Sequence, residues 1–206
     1  MDVAVHRDGR LARSAGTRAA VVDALLSLIE AGDLRPTAPR IAERAGVSLR
    51  SVFQHFRDLE ALFAAAADRQ TTRLRGLVTP IRTDLPLPQR LASFVAQRAR
   101  LLEALSPVRR AAVLMEPFSA EIAARLRDAR ALARAEVQRV FARELVSRPP
   151  ALRRQLLAAL DVASSWSTWE PLRRHQGLSV ERAREVMAAM LTAMLTQPSH
   201  SVARRR

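Results

Sequence analysis

The chain has 206 residues, 49% of them hydrophobic and only 6 of them glycine, and it carries a formal charge of +14. It contains no cysteine, which excludes disulfides and thiolate chemistry, and its longest largely apolar run, Val186 to Leu195, is far shorter than the ~20 residues of a membrane span. The basic excess is spread along the chain, +3 over residues 1–57, +5 over 58–146 and +6 over 147–206, so it would assist encounter with a polyanion without locating a site.

Alanine and leucine fill most apolar positions and favour helix throughout, while no β-branched, alternating run is long enough for a strand. An all-α fold follows. Residues 1–15, with Arg7, Arg10 and Arg13 along them, read as a flexible N-terminal arm, with entry into a DNA minor groove as its sharper role. They lack the apolar core of a secretory signal, so a cytoplasmic protein is expected. Helix one is predicted from Thr17 to Ala31, with Val22, Leu25, Leu26 and Ile29 as its buried stripe and Gly32 after its end. Thr37 then stands as a cap before Ala38 and Pro39, a suitable first turn for helix two.

Ile41, Ala42 and Ala45 form a short apolar face, and Gly46 interrupts it. Ser48 can cap a second short helix whose inner face is Val52 and Phe56. At 100° per residue, Arg50 and Gln54 then point outward, with Ser51 and His55 on one flank and Phe53 on the other. This is the spacing of a helix-turn-helix, and a short helix so decorated suits a DNA major groove. The head is assigned to residues 16–63. Helix four is predicted from Asp58 to about Val78, with Leu62, Phe63 and Ala66 inward and Thr79-Pro80 ending it.

Residues 80–197 read as a second helical domain. One helix runs through Leu91, Phe94, Val95, Arg98 and Leu102 and ends near Ser106-Pro107, and a short helix follows to Glu116-Pro117. A long helix is predicted over 120–146 on the stripe Ile122, Leu126, Ala129, Ala133, Val137, Val140 and Phe141, with Pro149-Pro150 as the next boundary. Two last helices are expected over 151–175 and 180–196, and residues 198–206 as a flexible tail. The four histidines, at 6, 55, 175 and 200, lie in unlike contexts. None has metal-ligand spacing, and there is no phosphate loop or nucleophile elbow. No enzyme activity, catalytic residue, metal or cofactor is therefore expected.

Thr37, Ile41-Ala42, Ala45-Gly46-Val47-Ser48, Val52-Phe53-Gln54-His55-Phe56 and Glu60-Ala61-Leu62 together resemble the DNA-binding head of the TetR family of transcriptional regulators, over residues 17–63. The resemblance implies a homodimer bound to a double-stranded operator, with DNA contacts at Thr37, Arg40, Ser48, Leu49, Arg50, Ser51, Phe53, Gln54, His55 and Arg57. The chain departs from the family pattern at Phe53, where a Tyr hydroxyl usually reaches phosphate, and at Leu59, where a Lys usually does. The resemblance also makes helix four the mechanical link between the head and the rest.

The segment Ser165 to Arg173, followed by Gln176-Gly177-Leu178-Ser179, is similar to the closing part of many such regulators, where the last helices build the dimer seam. Trp169, Ala183, Met187, Met190, Leu191 and Met194 are the interface candidates, and a single-chain core explains the same stripe. The family further implies a small-molecule effector, for which Phe94, Arg98, Leu102, Met115, Phe118, Phe141 and Trp166 are the candidate lining. Apolar walls would favour a hydrophobic or amphipathic ligand. The alternatives are a regulator controlled by a protein partner and a helical interaction module that binds no DNA.

Overall fold

The computed structural model describes the backbone of residues 2–196 and the side chains of residues 12–196; the tail expected over 198–206 lies outside the described residues. No strand occurs among them. The chain divides into two units, one of residues 1–76 and 105–126, the other of 77–104 and 127–206.

In the first unit, α1 (Asp2–Glu30) begins fifteen residues before the expected Thr17. Residues 2–15 are mostly alanine, arginine and other residues that helix tolerates, and the ~1 kcal/mol cost of each glycine at positions 9 and 16 does not interrupt it. The backbone of 2–15 is therefore helical, in place of the unstructured arm expected from sequence. Against α1 pack α2 (Ala38–Ala45), α3 (Leu49–His55) and α4 (Leu59–Arg75). Val21, Val22, Leu25, Leu26 and Ile29 of α1 meet Ile41, Ala42, Val52, Phe56, Leu62 and Phe63 in one core, completed by Ala111, Ile122 and Leu126.

The turn between α2 and α3 is fixed by its own residues. Gly46 sits at φ 67°, ψ 31°; its N–H donates to the Glu43 carbonyl at 3.1 Å, and the Val47 N–H donates to that of Ala42 at 3.0 Å. These are the two bonds of a Schellman ending, which needs a left-handed residue at this point. A Cβ at Gly46 would meet nothing within 4 Å, so Gly46→Ala carries only the conformational cost. Urea unfolding of that variant should show a loss of about 1–2 kcal/mol, and an unchanged midpoint would contradict the assignment.

Helix α5 (Leu87–Met115), in the second unit up to Ala104 and in the first from Leu105, runs without a break through Pro107, where the sequence predicts two helices. Pro107 has no N–H to give the Glu103 carbonyl, and the division between the units falls in that same turn, at 104/105. The predicted long helix over 120–146 is instead α6 (Ala120–Val140) and α7 (Ala142–Val146). Phe141 breaks it at φ −106°, ψ 25°. Arg90, only 2% exposed, donates to the Val140 carbonyl, to the Leu85 carbonyl at 2.9 Å and to both oxygens of Glu144. A guanidinium from fifty residues away thus competes for a carbonyl that an uninterrupted helix would use.

The expected helix over 151–175 is likewise divided, into α8 (Pro150–Ala163), α9 (Trp166–Glu170) and a π-helical turn, Pro171–His175. Ser164 donates its hydroxyl to Leu160 O at 2.8 Å, and Ser165 Oγ accepts the Thr168 N–H at 3.3 Å. Such side-chain bonds compete with helical ones and restart the helix. Glu103 accepts from Trp169 Nε1 at 2.7 Å and from Arg173 Nε at 2.8 Å, pinning this segment to α5. Gly177 at φ 64° then turns the chain, and Ser179 Oγ accepts the Arg182 N–H at the start of α10 (Val180–Thr196).

Candidate nucleic-acid interface

α3 is held on its inner side by Val52 and Phe56, 1% and 3% exposed, and its first turn is capped by Ser48 Oγ, which accepts the Ser51 N–H at 3.1 Å. Arg50, Phe53 and Gln54 are exposed, as are Ser48, Leu49 and Arg57, while Ser51 and His55 are half-buried. The outward face predicted for this helix is thus the face it presents. Arg18 of α1 lies over the Phe56 ring, 4.6 Å from its centre. It supports the end of α3 from beneath while remaining exposed.

Two expected contacts are arranged differently. Thr37 stands in the capping position at φ −83°, ψ 156°, yet its side chain makes no capping bond; its carbonyl accepts the Ile41 N–H at 3.0 Å. Pro39, in the second helical position, has no N–H for the hydroxyl to satisfy. Arg40 pairs with Asp33 at 2.5 Å, so its charge is partly compensated within the head. Asp58 caps α4 through Oδ1, which accepts the Ala61 N–H at 2.7 Å, and its other oxygen holds Arg57 at 3.0 Å.

A feature missed in sequence is a polar groove of about 420 Å³ on this unit, lined by Arg18, Arg57, Asp68, Glu121 and Arg125 among others. Asp68 accepts two bonds from Arg125, both at 3.2 Å, which together with Glu121 raise the Arg125 pKa above its usual value. Ser119, which caps Ile122 N at 3.1 Å, also donates to Glu60 of α4. These residues come from α1, the α3–α4 turn, α4 and the start of α6, and no local pattern joins them.

Of the candidate ligand lining, Phe94 and Phe141 stack edge to face with ring centres 5.2 Å apart. Arg98 lies over Phe94, 4.8 Å from its centre, and donates to Ala133 O at 3.0 Å. Burial pushes the Arg98 guanidinium below its usual pKa, against the pull of Glu136 and Asp161. Leu102 is buried and Trp166 half-buried. Met115 belongs to the first unit, packed against its core. Phe118 corrects the expectation: it follows Pro117 in the turn before α6 and is 84% exposed, so it projects into solvent.

The dimer candidates need a similar correction. Trp169 of α9 and Ala183, Met187 and Leu191 of α10 are fully buried within one chain, in which α10 packs on α8 and on the Pro171–His175 turn. Met190 and Met194 are half-buried. The side chains open to a partner are others, among them Ala158 and Val162 on α8 and Ala189 and Ala193 on α10.

Among the described residues there is no group of three or more histidine or acidic side chains placed to hold a metal, and no helix is long and apolar enough to cross a membrane. Residues 21–66 match the family model of bacterial regulatory proteins of the tetR family. No curated protein matches the chain. Among solved structures, a transcriptional regulator from Rhodococcus sp. Rha1 is similar over 88% of this chain and 95% of its own, with 17% identity and a TM-score of 0.67. A tetR-family transcriptional regulator from Streptomyces coelicolor is similar over 87% and 82% of the two chains, with 19% identity and a TM-score of 0.66. The head, over residues 21–66, thus matches the pattern of tetR-family regulatory proteins, and the chain shares its all-helical fold with those solved regulators.

Proposed function

We propose that this DNA-binding regulator acts as a homodimeric repressor, released from a roughly palindromic operator by a small amphipathic molecule. The observation that carries the reading is the α3 ridge of Arg50 and Gln54, exposed while Val52 and Phe56 anchor the helix from behind. Two such helices related by a two-fold axis would occupy successive major grooves about 34 Å apart. The open faces of α8 and α10, small and apolar at Ala158, Val162, Ala189 and Ala193, suit a two-fold helical seam. An effector preferring one separation of the heads would shift DNA affinity by its own difference in affinity between the states.

Arg98 supports an acidic group on that effector. It is 8% exposed, and the two carboxylates that act on it are each claimed elsewhere: Asp161 by Arg134 at 3.0 Å and Glu136 by Arg139 at 2.8 Å. A second reading, a regulator that answers to a protein partner, is favoured by the edge-to-face contact of the buried Phe94 and Phe141, two of the candidate lining residues that pack on each other.

Gel shifts on the DNA upstream of its own gene, across salt concentrations, test the proposal. A specific complex should outlast binding to unrelated DNA as salt rises, since only the sequence-independent part of the affinity is shared. Equal loss on both DNAs would remove operator recognition. Medium-chain acids added to the surviving complex should dissociate it if the effector is acidic.

A further inference from the structure

We infer that Leu49 and Phe53 are specificity-determining residues that read thymine 5-methyl groups in the operator, an inference that rests on the DNA-binding reading above. α3 presents two parallel ridges at i,i+4 spacing, Leu49 with Phe53 and Arg50 with Gln54. The core does not require the first ridge, because Val52 and Phe56 already close the inner side. Leu49 is 43% exposed and Phe53 49% exposed, so a seven-residue helix holds two large apolar side chains in solvent beside its polar reading residues.

The chemistry of the groove selects their occupant. Arginine and glutamine match the donors and acceptors of guanine and adenine, and the apolar feature left in the major groove is the thymine methyl. Phe53 has no hydroxyl with which to bond a phosphate. α3 carries no acidic side chain, and Arg50 and Arg57 flank the ridge; that charge suits a polyanion. Successive residues on a helix are 100° and 1.5 Å apart, so the methyls lie on base pairs neighbouring those read by Arg50 and Gln54. Covering one methyl group contributes roughly fourfold in affinity.

The test begins with a random duplex library from which the full-length protein enriches a preferred sequence. The enriched duplex is then remade with deoxyuridine in place of thymidine, one position at a time, which deletes the methyl and leaves the pairing intact. Wild-type protein should bind roughly fourfold more weakly at each contacted position. The variants Phe53→Ala and Leu49→Ala should bind the thymidine duplex more weakly and lose the difference between the two duplexes, as coupled partners do in a double-mutant cycle. Phe53→Tyr should retain the difference.

Equal binding of wild type to both duplexes would overturn the inference while leaving operator recognition standing. The same holds if Phe53→Ala and Leu49→Ala weaken binding with the methyl dependence intact, the signature of sugar or backbone packing. If no sequence is enriched, operator recognition itself fails and this inference fails with it. Melting curves of the variants should match wild type, since both side chains are half outside the core.

Discussion

Glu144→Ala is expected to destabilise the second unit by about 3–5 kcal/mol, because it leaves a buried guanidinium without its counter-charge. Arg90 is 2% exposed and spends its donors on the Glu144 carboxylate and on the carbonyls of Leu85 and Val140. The two carbonyls alone cannot neutralise it. Replacing both partners together, Arg90→Met with Glu144→Leu, should cost much less, since no charge then remains in the interior. Chemical denaturation of the two variants separates the cases; equal losses would mean that the pair acts only by filling space.

The same pair sets a pH dependence. Burial alone would raise the Glu144 pKa, but the hydrogen bond and charge of Arg90 outweigh it and hold the carboxyl below its usual value of 4.5. A carboxylate depressed in the folded state binds fewer protons than in the unfolded chain. Its stabilisation is therefore complete above pH 4.5 and is lost as the pH falls through the folded-state value. Acid unfolding of Arg90→Met with Glu144→Leu should show a shallower slope in that range than wild type.

The other large effect is on DNA. Arg50→Ala with Gln54→Ala should reduce discrimination between the preferred and unrelated sequences by about 2–6 kcal/mol, taking each bidentate base contact as about 1–3 kcal/mol. Binding to unrelated DNA should persist, because the arginines around the helix remain. By contrast, Arg40→Ala should weaken all sequences alike and reduce the salt slope by about one. That effect is tempered by the Asp33 carboxylate already 2.5 Å away. Competition gel shifts at two salt concentrations read both quantities, and retained discrimination in the double variant would place the reading face elsewhere.

The head was legible because its determinants are close in the chain. Gly46 and Val47 end α2 through bonds to residues three and five positions back respectively, Ser48 caps the residue three ahead, and Val52 and Phe56 are one turn apart. Each of these interactions is local, so spacing and residue type suffice to predict it. The resemblance to the TetR family covered the same stretch and added the identity of the partner.

What only the tertiary structure decided is whatever depends on a partner far along the chain. Periodicity marked Ala183, Met187 and Leu191 as a covered stripe but could not say by what, and they prove to be covered within the chain itself, where α10 packs on α8 and on the Pro171–His175 turn. The break at Phe141 is fixed from Arg90, fifty residues earlier, and the segment after Ser165 is held by Glu103 on α5. A repeating apolar pattern records that a surface leaves water, since that free energy has no direction; the identity of the covering surface, and of the donor that claims a distant carbonyl, arises only when the chain folds back on itself.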